Sequence, residues 1–145
     1  MATKKSPASK RPSSKPAADE ASLLFHAMYL MAVIDGETSR AELSVVEALL
    51  TNLPDFGKTT VDALVTTSKK LVASFGGTIE SLEAVVAIKG KSARTKCFLL
   101  AAEVAYASGG IGKAEAALLT TLATLLKLDK ETTRSIVKVL GLKYG

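Results

Sequence analysis

The sequence predicts an all-α protein of about seven helices arranged in two related halves. Apolar residues recur at helical spacing throughout, and no segment alternates with period two as a half-buried strand would. A motif also recurs at an offset of 73 residues, with 35–42 (DGETSRAE) corresponding to 108–115 (SGGIGKAE). Each copy follows an apolar run and precedes a leucine-rich pattern. We therefore expect two helical units, each too small to bury its own apolar face, that pack into one domain over 19–145.

The first two helices flank the first copy of this motif. Residues 19–34 are apolar nearly all round, which indicates a buried helix. Gly36 can adopt the left-handed conformation that ends a helix. Ser39 followed three residues later by Glu42 forms a capping-box pattern, so a second helix is expected from Ser39 until just before Pro54.

Two further helices complete the first half. The third is expected to begin near Lys58, with Thr59 and Asp62 as a capped start, and to end at the glycine pair 76–77. A short fourth helix is predicted over 78–88. Its apolar residues are expected to face the core: Ile79, Leu82, Val85 and Val86.

The second half repeats the character of the first. A fifth helix over 92–107 is again strongly apolar and is followed by a bend at 108–110. A sixth helix is predicted over 112–126, with Glu115 at its third position, and a seventh begins at a capping Asp129. We expect the first and fifth helices to pair at the centre of the domain.

Particular side chains of these two central helices can be assigned to the interior. Leu30 and Leu99 should lie in the core. His26 has no partner at metal-ligand spacing and is expected to be a buried or half-buried core histidine. Cys97 falls on an apolar helix and should be an inert thiol, although neighbouring Lys96 could favour the thiolate.

Positive charge is concentrated at the N-terminus. Residues 1–18 contain five of the 19 basic residues and none of the 14 acidic ones, so 19 − 5 = 14 bases face 14 acids over 19–145. The basic residues of this tail are Lys4, Lys5, Lys10, Arg11 and Lys15. The tail also holds three of the four prolines and almost no large apolar residue, which predicts disorder. Any contact with nucleic acid or an anionic membrane surface is therefore expected to involve this tail alone.

Several classes of protein are disfavoured by what the sequence contains. The longest apolar stretch, 21–34, has 14 residues, whereas a membrane span needs about 20. The single cysteine forms no intramolecular disulfide, which favours a reducing cytoplasm. No nucleophile–base pair, glycine-rich phosphate loop or CxxC motif is present. The sequence therefore predicts a protein that is not an enzyme, with no catalytic residues and no organic cofactor.

Three segments together resemble the tellurite-resistance TerB family. They are the sequence 32–37 (AVIDGE) with Glu42, the sequence 70–75 (KLVASF) with 87–89 (AIK), and the sequence 105–109 (AYASG) with Glu115 and 125–129 (LLKLD). The resemblance covers nearly all of 21–145. It implies an all-helical fold in two repeats and a role in resistance to tellurite or general chemical stress. It further implies partners among membrane-associated stress proteins, which would allow a cytoplasmic protein to be peripheral at the inner face of the membrane.

The resemblance also implies an acidic, metal-binding site shared by the two bends. Its candidate ligands here are Asp35, Glu37, Glu42 and Glu115, and carboxylate oxygens are the ligands that calcium or magnesium prefers. The second bend has Ser108 where the family usually has a second aspartate. The segment is not an EF-hand, because 35–42 spans eight residues rather than twelve.

Each of these acids also has a purely structural interpretation. Asp35-Gly36 is good turn chemistry, and Glu37 can be a solvated loop acid. Glu42 and Glu115 lie at the third position of their helices, where a glutamate caps the helix start. Three functions therefore remain open: a stress-response module that binds a cation and docks to proteins, a purely structural helical adaptor, and a polyanion-binding protein acting through its tail.

Overall fold

The computed structural model describes residues 18–34, 40–107 and 111–145, apart from the side chains of 40–43. Within these ranges the chain forms helices and turns with no strand, which confirms the all-α class. The α-helices are α1 (Glu20–Val33), α2 (Arg40–Asn52), α3 (Val61–Phe75), α4 (Lys91–Ala107), α5 (Lys113–Leu125) and α6 (Lys130–Tyr144). Two 3₁₀ helices, η1 (Pro54–Phe56) and η2 (Glu80–Ala87), lie on either side of α3.

The predicted pairing of the two most apolar helices is confirmed, since α1 and α4 pack against each other more extensively than any other two described elements. Nine of the fourteen residues of α1 are buried, including His26 and Leu30 on one face and Leu24 and Met28 on the opposite face. A helix buried on several faces must be surrounded, and α1 is covered by α2, α3 and η2 in addition to α4. Helices α5 and α6 pack on the other faces of α4.

Side-chain caps fix the start of three helices. Asp19 accepts a hydrogen bond from the backbone N–H of Ser22 at 2.9 Å, and Asp129 accepts one from Thr132 at 2.7 Å. The predicted start of α3 near Lys58 and Thr59 is wrong. Thr60 takes the extended conformation of an N-cap, and its hydroxyl accepts from the N–H of Ala63 at 3.1 Å.

The segment predicted as a short α-helix over 78–88 is instead the 3₁₀ helix η2. With three residues per turn, Leu82 and Val85 fall on the same face, and both are buried. Ile79 precedes the helix and Val86 points away from this face, so their side chains are 60% and 50% exposed. Their predicted inward orientation is therefore wrong.

The core position assigned to Leu99 is also wrong by one residue. Leu100 is buried, whereas Leu99 is half-buried at the edge of the core. The end of α3 agrees with the prediction, because Gly76 has φ 85°, a left-handed conformation that closes the helix. No helix among the described residues is long and apolar enough to cross a membrane.

Candidate functional site

The first bend joins two helices that the structure describes. Asp35 and Glu37 belong to the segment 35–39, outside the described residues, between the end of α1 and the start of α2. Glu42 lies in the first turn of α2, but its side chain is outside the described part. The sequence positions of these acids relative to α1 and α2 are therefore known. That their carboxylates come together around one ion stays a prediction.

The end of α1 provides the electrostatic setting of this bend. Ile34 retains right-handed helical dihedrals, with φ −62° and ψ −30°, and the last turn of α1 contains no basic residue. The carbonyl groups at a helix C-terminus carry partial negative charge and lack intrahelical partners. Asp35 follows this terminus directly in the sequence, and the last turn of α1 offers no cation to balance its charge.

Glu115 is the one predicted site residue whose side chain is described. It is 8% exposed, and its Oε1 accepts a hydrogen bond from the backbone N–H of Gly112 at 2.8 Å. Gly112 is the N-cap of α5 and has no side chain to complete a reciprocal capping box. The capping interpretation of Glu115 is confirmed, and its role as a metal ligand stays a prediction. The bend before it, 108–110, lies outside the described residues.

Elsewhere in the described ranges, acids, histidine and cysteine are not grouped for metal binding. No set of three or more such side chains lies close enough together to hold an ion. This finding does not concern Asp35 or Glu37, because neither residue is described.

His26 forms a buried polar cluster with two serines that sequence analysis did not find. Its Nδ1 and Nε2 lie 3.0 Å from the hydroxyls of Ser68 and Ser81, respectively. The Ser81 hydroxyl donates its only proton to the carbonyl oxygen of Thr78 at 2.7 Å, so it must accept from Nε2. The ring is therefore the neutral Nε2–H tautomer, with Nδ1 accepting from Ser68. Burial lowers the pKa of His26 to about 4, and an interaction of the ring with the backbone of Ser81 only partly offsets this effect.

The expected core placement of His26 is thus confirmed. Its two hydroxyl partners, on α3 and η2, satisfy both ring nitrogens and hold these elements against α1. Cys97 is also fully buried, and burial raises the pKa of its thiol to about 12. The thiolate form that a neighbouring lysine was expected to favour is therefore suppressed.

A second buried acid, Glu103 of α4, anchors the C-terminal end of α6. Its Oε2 accepts hydrogen bonds from Lys143 Nζ and from the Tyr144 hydroxyl, the latter at 2.6 Å. Burial acts to raise the pKa of Glu103, but these hydrogen bonds and the lysine charge outweigh it and lower the pKa. The sequence offers one signal for this contact, because Glu103 is an acid within an otherwise apolar run. Its partners could not be identified in this way, since they lie 40 and 41 residues away.

Comparison with known proteins adds the family. The family model described as "Tellurite resistance protein TerB" matches residues 21–138, which is 118 of the 145 residues and includes both bends. No curated protein sequence and no solved structure is significantly similar to the chain. Because the family model covers most of the chain and the described part is all-helical, the chain belongs to the TerB family of tellurite resistance proteins.

Proposed function

We propose that this TerB-family protein is a non-enzymatic module of tellurite and general chemical stress resistance. In this proposal it binds a divalent cation of the calcium or magnesium type at the first bend and docks to partner proteins. The observation that carries the proposal is the family match over 21–138, which contains both bends and their flanking helices.

The electrostatics of the first bend support cation binding there. Asp35 directly follows a helix C-terminus whose last turn has no basic residue. An anion at this position is disfavoured by about 0.3–1 kcal/mol, and a bound cation would remove this penalty. Asp35 and Glu37 are the proposed main ligands, with Glu42 contributing directly or through water. Carboxylate and carbonyl oxygens together are the ligand set that calcium accepts.

The second bend is proposed to contribute less. It has Ser108 and Gly110 where acids would be needed, and Glu115 already caps α5 through one carboxylate oxygen. A site with few charged ligands retains water and binds weakly, so modest affinity is expected. Docking to membrane-associated stress proteins at the inner face of the membrane follows from the family role and is proposed on that basis.

A two-dimensional amide spectrum recorded with calcium, magnesium, manganese and zinc in turn tests the cation site. We expect shifts confined to the ends of α1 and α2 that flank 35–39, and their loss in the Asp35→Asn, Glu37→Gln double variant. Glu42→Gln should weaken the response without unfolding α2, because glutamine can still cap a helix. The matched control is Glu80→Gln with Glu83→Gln, since these exposed acids of η2 give the same change in charge.

The outcome of the titration distinguishes between the proposed functions. Shifts that persist in the double variant, or an unchanged wild-type spectrum at millimolar cation, would contradict the metal site. The structural adaptor would then be favoured, in keeping with the capping role of Glu115. Polyanion binding through the tail is the remaining alternative. The five basic side chains of the tail predict that the logarithm of the binding constant for single-stranded nucleic acid falls with the logarithm of salt concentration, with a slope no steeper than about −3.5.

A further inference from the structure

A groove of about 500 Å³ opens on the surface between α5 and α6. Both helices pack on α4 and make few contacts with each other, so the space between them is left open. The floor is apolar and includes Phe98 from α4, Leu119 from α5 and Val137 from α6. The lining runs over residues 116–124 of α5 and 130–137 of α6, which gives a length of about 12 Å.

The α5 wall is formed by small residues whose side chains require no hydrogen-bond partner from a bound molecule. Ala116, Thr120 and Thr124 recur every four residues and line the groove. The Thr120 hydroxyl donates to the carbonyl oxygen of Ala116 at 3.0 Å, and that of Thr124 to Thr120 at 3.1 Å. Thr133 on the opposite wall likewise donates to the carbonyl oxygen of Lys130 at 3.1 Å. Because the hydroxyls are satisfied within their own helices, this lining behaves as an apolar surface that a helix can approach closely.

The α6 wall places positive charge along the rim. Lys130 and Arg134 line the groove, and exposed Lys138 continues the same four-residue spacing. Among the described residues, no acidic side chain lines the groove, and neither Lys130 nor Arg134 forms an ion pair. An occupant that carries acidic residues beside an apolar face would therefore complement both the floor and the rim.

We propose that the α5–α6 groove is a docking site for an amphipathic helix of a partner protein, with acidic residues flanking its apolar stripe. This recognition mode reads apolar anchors at positions i, i+3, i+4 and i+7. A small-molecule pocket would instead require polar groups that converge on the ligand, and here the threonine hydroxyls are turned to their own backbones. The basic tail of this chain has the same sign of charge as the rim, which disfavours it as the occupant.

This assignment deepens the partner-docking part of the proposed function and does not depend on the cation site. The test is selection from a displayed library of random 16-residue peptides against the full chain, followed by amide titration with synthetic copies of the enriched peptides. We expect enriched sequences to combine helical apolar spacing with flanking Asp or Glu, and to shift amides of α5 and α6. The Asp35→Asn, Glu37→Gln variant should bind the same peptides, so failure of the cation site and failure of the groove are distinguishable.

Two pairs of variants give the test matched controls. Ala116→Trp should fill the groove and abolish peptide binding, whereas Ala117→Trp, at a neighbouring exposed position outside the lining, should not. Lys130→Glu with Arg134→Glu should weaken binding about tenfold, because two attractive contacts become repulsive. The same charge change at Lys69 and Lys70, exposed on α3, should have little effect.

Several results would overturn the proposal. They are enrichment of basic peptides, binding that tolerates Ala116→Trp, and failure of any peptide to shift the groove. Shifts by decanoate in the absence of peptide binding would assign the groove to a small anionic amphiphile instead. The proposal would also be contradicted if peptides bound to the wild-type protein shifted only amide signals outside α5 and α6.

Discussion

Acid should destabilise this protein through its only histidine. His26 is buried and neutral, and its pKa of about 4 in the folded state compares with an ordinary value of 6.5. Between these two pH values the unfolded chain binds a proton that the folded chain does not, so stability falls as pH falls. Linkage over the range from pH 8 to pH 5 gives a loss of about 2 kcal/mol.

The assay is urea unfolding followed by circular dichroism at several pH values between 8 and 5. The His26→Gln variant has no imidazole and should show an almost flat free energy of unfolding over this range, from a lower starting value. Carboxylates whose pKa is lowered in the folded state, such as Glu103, also stabilise the fold. Their stabilising effect is lost mainly below pH 5, because it disappears only as the carboxylates become protonated. The range therefore isolates the imidazole.

Nuclear magnetic resonance of the wild-type ring provides a second readout that needs no variant. The ¹⁵N shifts should identify Nε2–H as the protonated nitrogen at neutral pH, and the ring should not titrate above about pH 5. A ring that titrates near 6.5, or a wild-type stability that is flat between pH 8 and pH 5, would refute the buried, doubly hydrogen-bonded histidine.

Other predictions concern packing, the α6 anchor and the tail. Leu30→Ala should cost about 2–5 kcal/mol in urea unfolding because the side chain is fully buried, whereas half-buried Leu99→Ala should cost only about 1 kcal/mol; equal costs would contradict the observed α1–α4 packing. Tyr144→Phe removes a hydroxyl donor from Glu103 and should cost about 1 kcal/mol after allowance for partial exposure; no loss would show that the anchor contributes little. Deletion of the tail, residues 1–18, should leave the melting temperature nearly unchanged, and a fall of more than a few degrees would mean that the tail packs on the body.

The local features of this fold could be predicted well because they depend on residues close in sequence. The caps at Asp19 and Asp129 and the left-handed end at Gly76 each involve a few neighbouring residues. The central pairing followed from the nearly continuous apolar character of two segments. Residues 78–88 were harder, because an apolar spacing of three is compatible with both α and 3₁₀ geometry over so short a length.

Long-range polar contacts could not be derived in the same way. His26 meets Ser68 and Ser81 at separations of 42 and 55 residues, and nothing in the sequence indicates which of the many serines are its partners. Of the candidate site, the capping role of Glu115 could be predicted because its partner is three residues away. The groove exists because α5 and α6 pack on α4 rather than on each other. Helical periodicity shows which face of a helix is buried, but it does not show which helix covers that face.

Paramagnetic broadening by manganese is the most direct measurement of the proposed cation site, because amide signals are lost according to distance from the ion. The proposal predicts that signals at 33–34 and 40–42 disappear first at substoichiometric manganese, and that Asp35→Asn with Glu37→Gln abolishes this local loss while Glu80→Gln with Glu83→Gln does not. Broadening centred elsewhere, or spread evenly over the exposed acids in wild type and both variants, would contradict cation binding at the first bend.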